Sequence, residues 1–362
     1  MKNVHTVKTE NLTKLAEYEA KLRREPKLRY LFFELTDACN MACLHCGSSA
    51  SPCNKMYMRY ELADKVMTDV AKAYDPSEIM ICLTGGEPML HPDFYRIAAR
   101  AKELGFLCGI TTNGTMIDEA AAEKIRDSGI TAISVSLDGT EDLHDWFRNS
   151  KGAYSRAVRG VKNLVAASEG KMVVQITTVV HKGNIGELDR IYEAVLETGV
   201  ESWRIANLDP IGRAQEHSEL LLDGTDHRYL LDYIKDKRFS RDVPIHVTYG
   251  CSHYLGIEDE NMTRDFYFMC GSGIFVASVL CNGDIYSCLD IERRPEFVQG
   301  NVERDDFVTV WENGFECFRR DRTADCGDCR SCSERGFCRG DSAHTWNYDE
   351  NRPMLCYKTI MK

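Results

Sequence analysis

"YLFFELTDACNMACLHC", residues 30–46, is the stretch from which the rest of the chain can be read. It opens as an apolar, aromatic-rich run that favours a β-strand. After Thr36 and Asp37 it delivers three cysteines, Cys39, Cys43 and Cys46, spaced C-x3-C-x2-C with no fourth close behind. A structural zinc site normally closes with four ligands. Three thiolates on a loop directly after a strand suit a cluster that keeps one iron open to an outside ligand. A partial zinc site or a set of buried thiols is the plainer alternative.

Working outward, strand-like runs recur at 30–35, 79–84, 106–112, 132–137, 173–180 and 202–206. Between them lie segments with apolar residues at helical spacing, at 60–74, 94–104, 120–128, 153–167 and 187–198. Alternation of this kind gives a parallel sheet with helices outside. The repeat closes near Asn207, and eight units need about 250 residues, so the fold class expected is α/β with a partial (β/α)6 TIM-type barrel. The remaining organisation is a helical extension over 1–28, the barrel over 29–213, a mostly helical linker over 214–250 and a cysteine-rich C-terminal domain over 251–362. That last domain is expected to hold short helices and a β-hairpin, 274–280 with 284–288, turning at Cys281-Asn282-Gly283.

A net charge of -11 with no clustered Lys/Arg surface argues against nucleic acid as partner. Residues 1–28 carry no apolar signal core, and the longest apolar run, 274–281, is far too short to cross a bilayer. The expectation is a cytoplasmic protein that does not engage a membrane. In that compartment 16 cysteines point to metal or catalysis rather than disulfides. They fall at the two ends of the chain, with none between Cys108 and Cys251.

Three further signals close the next three strands, "LTGGEP" (83–88), "TTNG" (111–114) and "SVSLDG" (134–139), and a less specific one, "PIGRA" (210–214), follows the sixth. Singly, Asn-Gly and Asp-Gly are turns. Together with the cysteine loop they resemble the radical S-adenosylmethionine (SAM) superfamily. The resemblance implies a [4Fe-4S] cluster on Cys39, Cys43 and Cys46 that binds SAM through the open iron and cleaves it reductively to a 5'-deoxyadenosyl radical. It also implies cofactor contacts from Gly85, Gly86, Glu87, Asn113, Ser136 and Thr177, with Asp138 near the cofactor or on the substrate side. His45 stands where the family often has a ring against the adenine, a solvent-facing histidine being the alternative.

The C-terminal third adds "CGSGIFVASVLCNGDIYSC" (270–288), "GNVERDDFVTVW" (300–311) and "CGDCRSCSERGFCRGDS" (326–342), with Cys356 beyond. These resemble the SPASM extension, whose cysteines carry one or two auxiliary iron-sulfur clusters. The candidate ligands are Cys270, Cys288, Cys326, Cys329, Cys332, Cys338 and Cys356. For Cys329, Cys332, Cys338 and Cys356 zinc remains an alternative metal. Ser342 stands where the pattern expects a further cysteine. Cys326 or Cys251 could replace it, or the first auxiliary cluster has an open iron or is absent. Asp341 and His344 in that segment are either ligands or structural polar groups, while Cys281 and Cys317 read as ordinary buried thiols.

The resemblance implies an enzyme that abstracts hydrogen from a ribosomally made peptide or protein and leaves an oxidative modification such as a crosslink or thioether. Its expected partners are that substrate, an electron donor such as flavodoxin or ferredoxin, and a separate leader-binding protein. Three alternatives stay open: a tetrapyrrole- or small-molecule-modifying SPASM enzyme such as a haem-pathway oxidative decarboxylase, a peptide epimerase with a thiol donor among Cys53, Cys82, Cys108 and Cys251, and a non-enzymatic electron carrier or zinc scaffold. The charged groups at strand ends, Asp37, Asp138, Arg204 and Asp209, are the candidates for meeting substrate, the three aspartates being also the candidate catalytic groups.

Overall fold

The structure is a computed structural model that describes residues 4–250 and 253–360. Six strands form at the six apolar runs: β1 (Tyr30–Glu34), β2 (Met80–Thr84), β3 (Leu107–Thr112), β4 (Ala132–Ser136), β5 (Val173–Val180) and β6 (Ser202–Asn207). Each pairs in parallel with the next. The strand period of two divides their side chains between two environments. Leu31, Phe33, Ile81, Leu83, Ile133, Val135, Ile176 and Trp203 are buried on one face of the sheet. Their neighbours Phe32, Cys82, Thr84, Ser134, Gln175 and Arg204 line a cavity on the other.

The helices follow in order: α1 (Val4–Arg24), α2 (Tyr60–Ala73), α3 (Phe94–Glu103), α4 (Glu119–Asp127), α5 (Glu141–Phe147), α6 (Ala153–Ala167), α7 (Leu188–Glu197) and α8 (Gly224–Phe239). Their starts are encoded locally. Asp118 caps α4 by accepting from the Ala121 N–H, and Asp223 with Asp226 forms a capping box on α8. The α1 helix turns to the C-terminal region, where Arg23 donates to the Phe318 and Arg319 carbonyls and Leu12 packs with Tyr254 and Phe268.

The partial TIM-type barrel is therefore present, and its sheet is wider than six strands. A seventh parallel strand, β7 (His246–Tyr249), follows α8 and pairs with β6. It lies inside the stretch expected to be a helical linker, and at four residues it is too short for periodicity to reveal. On the other side the hairpin β8 (Val276–Val279) and β9 (Asp284–Tyr286) forms as expected, but its first arm also pairs in parallel with β1. Gly283, at φ 87°, supplies the left-handed residue of its turn. With β10 (Gly300–Asn301) the sheet reads β10-β9-β8-β1-β2-β3-β4-β5-β6-β7. The turn of the hairpin, with Cys281, thus lies at the same end of the sheet as the cysteine loop after β1, and Cys288 follows the returning arm.

Candidate active site

The cysteine loop is held from three neighbouring strand ends. After β2, the Gly86 N–H donates to the Thr36 carbonyl at 2.7 Å and the Glu87 N–H to the Ala38 carbonyl at 2.9 Å. Gly85 has φ 146°, and a Cβ there or at Gly86 would overlap the Thr36 or Ala38 carbonyl oxygen. The paired glycines are thus required by close approach of two backbones. The Glu87 carboxylate reaches the end of β3, accepting from Thr112 Oγ1 at 2.8 Å and the Asn113 N–H at 2.9 Å. Burial raises its pKa, and those donors oppose the rise. Asn113 in turn donates to Asn40 at 2.7 Å, tying β3 to the cysteine loop.

Two arginines complete the support. Arg213 donates from Nε to the Cys43 carbonyl at 2.8 Å and from its guanidinium to the Ala50 carbonyl at 2.9 Å. Gly212 beside it, at φ 52°, leaves no room for a Cβ against the Cys46 carbonyl. Arg148, just past α5, lies 3.9 Å from the Cys43 sulfur and donates to Asp138 at 2.5 Å. Asp138 is fully buried and also accepts from the Val179 N–H. Burial would raise its pKa, but Arg148 and the nearby histidines hold it below the ordinary carboxylate value. Sequence reasoning did not single out either arginine. Arg213 lies in the quoted "PIGRA" stretch, whereas Arg148 has no local signal.

The three thiols open onto a cavity of about 630 Å³ in the barrel mouth. Burial pushes the Cys39 thiol to about 12 and raises Cys43 as well, the Arg148 charge opposing the latter. A cationic metal is what would convert such thiols to thiolates. The loop, the glycine edge and the rings beside it fit the cluster and SAM. His45 is half-buried and stacked on Phe147, with centroids 4.2 Å apart and planes 8° apart, and its buried Nδ1 has no hydrogen-bond partner. Burial lowers its pKa to about 3, so the ring is neutral and offers a flat face rather than a charge.

Of the expected cofactor contacts, His45, Gly85, Gly86, Asn113 and Ser136 line the cavity, and Glu87, Asp138 and Thr177 stand behind it. Thr177 hydrogen-bonds Ser134, which does line it, at 2.7 Å. Asp37 is turned to its own loop, accepting from the Met56 N–H at 2.8 Å. Arg204 projects into the cavity, and its buried Nε has no hydrogen-bond partner among the described residues. Of the unassigned cysteines, Cys108 is buried, Cys53 is exposed, and Cys82 lines the cavity with its thiol pushed up by burial. Cys251 lies outside the described residues.

In the C-terminal region the cysteines form two groups. Cys326, Cys332 and Cys356 all bear on the charge of Cys329, and Cys356 on that of Cys338. Cys326 also accepts from the Cys329 N–H at 3.4 Å, in keeping with its place in this group. The other group is Cys270, whose sulfur accepts from the Ala343 N–H at 3.4 Å, and Cys288, which lines the cavity. Asp209, past the end of β6, accepts from His253 at 2.7 Å and from His344 at 3.1 Å, and His253 meets Asp341 at 2.6 Å on its other nitrogen. Cys281 is buried and Cys317 half-buried.

Comparison with known proteins agrees with this geometry. Residues 33–195 match the family model of the radical SAM superfamily, and residues 270–333 match the SPASM iron-sulfur cluster-binding domain. The chain is 30% identical to an AdoMet-dependent heme synthase of Methanosarcina barkeri, over 91% of this chain and 97% of that one. The chain belongs to the radical SAM superfamily.

As a radical SAM enzyme with a SPASM domain, it uses SAM, a [4Fe-4S] cluster and auxiliary iron-sulfur chemistry. It is also 32% identical to the mycofactocin maturase MftC of Mycobacterium ulcerans, over 86% of this chain and 81% of the relative. Among solved structures, anSMEcpe with bound AdoMet and Cp18Cys peptide superposes with a TM-score of 0.70 at 18% identity, over 91% of this chain and 93% of that one. Streptococcus suis SuiB bound to S-adenosylmethionine gives 0.68 at 19% identity, over 87% and 73%. These two share the fold. Among the described residues no helix is long and apolar enough to cross a membrane.

Proposed function

We propose that this radical SAM enzyme oxidatively modifies a ribosomally made peptide that enters the barrel by one side chain or its terminal carboxylate. The observation that carries the reading is the cavity. About 630 Å³ is the volume of a site for one drug-sized ligand, roughly 300–1,000 Å³, and here it must admit SAM as well. What remains suits one side chain of an extended substrate better than a whole second molecule.

The bound cluster and SAM supply an adenosyl radical that takes a hydrogen atom from an unactivated C–H bond. The chain's own residues position and shield that reaction. Gly85 and Gly86 offer their backbone at the cavity edge, His45 offers a neutral stacked ring, and Arg148 and Arg213 keep the loop in place. Arg204, on β6 in register with Thr177, is suited to an anionic group of the substrate, because a half-buried guanidinium without a carboxylate partner among the described residues is costly until an anion meets it. The cysteines from Cys326 to Cys356 are suited to an auxiliary cluster that accepts the electron left on the substrate.

A second reading is oxidation of a tetrapyrrole, favoured by the match along 97% of the heme synthase. There one carboxylate-bearing edge of the macrocycle would enter the cavity. The two are separated by incubating the reconstituted enzyme, SAM and reductant with a peptide encoded beside its gene, and in parallel with carboxylated porphyrins. Loss of two hydrogens from the peptide supports the first reading. An untouched peptide with a porphyrin of lower mass replaces it with the second. Solvent deuterium at one α-carbon without net oxidation would mark an epimerase, with Cys82 the donor to test first.

A further inference from the structure

Among the described residues the site around Cys288 does not supply four thiolates. Of those residues Cys270 and Cys288 are the cysteines placed there, Ser342 occupies the expected third place, Cys326 bears on Cys329 in the other group, and Cys251 lies outside the described residues. What surrounds Cys288 is different chemistry: one ligand atom each from Cys288, Asp290 and His344 lies within 4.8 Å of the others. Cys288 Sγ and Asp290 Oδ2 are 4.0 Å apart, and ligand atoms about 2.0–2.3 Å from one tetrahedral ion are about 3.3–3.8 Å apart, so a small side-chain adjustment brings the three onto a single ion. Among the described residues no other three His, Cys, Asp or Glu side chains converge so closely, the C-x3-C-x2-C thiols included.

We propose that Cys288, Asp290 and His344 bind one iron or zinc ion at the barrel mouth, in place of a cysteine-only auxiliary cluster. A thiolate, a carboxylate and an imidazole together suit a borderline divalent metal. The histidine is already oriented for the task. Its Nε2 meets the Asp209 carboxylate at 3.1 Å, so Nδ1 is the nitrogen a metal would take if the ring is fixed in the carboxylate–histidine–metal order that proteins use for ligating histidines. Asp209 is itself fixed by His253, and His253 by Asp341. Binding releases the thiol and imidazolium protons to solvent. Three protein ligands leave the ion an open position, and because Cys288 and Asp290 line the SAM cavity that position is reachable by an oxygen or sulfur of the substrate.

The inference rests on reading the cysteines from Cys326 to Cys356 as cluster ligands, and one measurement tests the two separately. Iron, zinc and acid-labile sulfide are counted per chain in the reconstituted full-length enzyme and in its His344→Ala and Asp290→Asn variants. Two cubes give about eight sulfides. The expected result is eight sulfides with one metal in excess, the excess lost in both variants while sulfide and the visible iron-sulfur spectrum stay unchanged. Asp290 is exposed, so its variant tests the site without threatening the fold. About twelve sulfides, or an excess metal indifferent to both substitutions, or no excess metal, overturns the proposal. About four sulfides overturns instead the cluster reading of the C-terminal cysteines, and the excess-metal count still decides this site.

Discussion

The cysteine loop after β1 and the cysteine-rich C-terminal region use the same side chain in opposite ways. The loop takes its three thiols from eight consecutive residues and is held by the backbone of the glycine edge after β2 and by the Asn113, Arg148 and Arg213 side chains. The C-terminal region draws on segments from Cys270 to Cys356, built from helices and strands mostly two to seven residues long, and is held by side chains such as Asp209, His253 and Asp341. In the first case a glycine or a spacing is the determinant. In the second it is a meeting of residues far apart in sequence.

The sharpest way to break the comparison is to remove one loop thiol. Cys43→Ser is expected to abolish reductive formation of 5'-deoxyadenosine, because an open-iron cube on two thiolates has lost its third protein ligand, while the C-terminal metal is retained. Iron bound in proportion to the loss of product, with none left at the C-terminus, would show instead that the two regions assemble together. Gly86→Ala comes next. Its Cβ meets the Ala38 carbonyl, a rigid backbone atom, so the loop must shift. A misplacement of about 1 Å costs on the order of a hundredfold in rate, read as 5'-deoxyadenosine per minute, with the C-terminal metal content unchanged.

These two regions also explain what could be read from the sequence. The barrel was legible because its six long strands and intervening helices repeat at their own periods, and the cofactor edge because Gly85, Gly86 and the cysteine spacing are local requirements of backbone geometry. The four residues of β7 carry too little pattern, and the pairing of β8 with β1 joins positions some 245 apart, which no local signal records. Of the site, His45, Asn113 and Ser136 reach the cavity as the motif order suggests. Asp138 was expected to face cofactor or substrate and instead stands behind the cavity, paired with Arg148. An Asp-Gly turn announces the carboxylate but not its partner ten residues on. Arg213, and the meeting of His344 with Asp290 and Cys288, depend on tertiary contacts alone.

Arg148→Met tests one of the side-chain supports of the cysteine loop. It leaves Asp138 buried without its cation, and breaking such a pair costs about 3–5 kcal/mol, seen as a lower denaturation midpoint of the metal-free chain. Adding Asp138→Asn is expected to recover part of that loss. A single variant as stable as the parent would mean that Asp138 finds its balance elsewhere.

The histidines of the two regions titrate in opposite senses. Burial lowers His144 and His181, beside the barrel, to about 4. The unfolded chain binds those protons first, so their contribution is complete above pH 6.5 and is lost as pH falls toward 4, on the order of 3 kcal/mol apiece. At the C-terminal network burial also acts to lower the pKa, but Asp209 lifts His344 to about 9, and Asp209 with Asp341 raises His253 well above its ordinary value. That stability is present below pH 6.5 and is lost as pH rises through the folded values. Denaturation of the metal-free chain should therefore show two limbs, with His181→Leu flattening the acid one and His253→Asn the alkaline one. A single limb shared by both variants would mean that the regions do not titrate independently.

Arg204 gives the smallest effect and the most selective one. It lines the cavity from β6, and its buried Nε waits on a partner the described residues do not provide. If that partner is an anionic group of the substrate, Arg204→Gln removes a charge-assisted hydrogen bond worth about 1.5–3 kcal/mol. The consequence is a rise in KM of roughly tenfold or more, with the uncoupled cleavage of SAM unchanged because the cofactor's own contacts are intact. A fall in uncoupled cleavage with KM constant would instead assign the guanidinium to SAM, and the β6 side of the cavity would then belong to the cofactor rather than to the substrate.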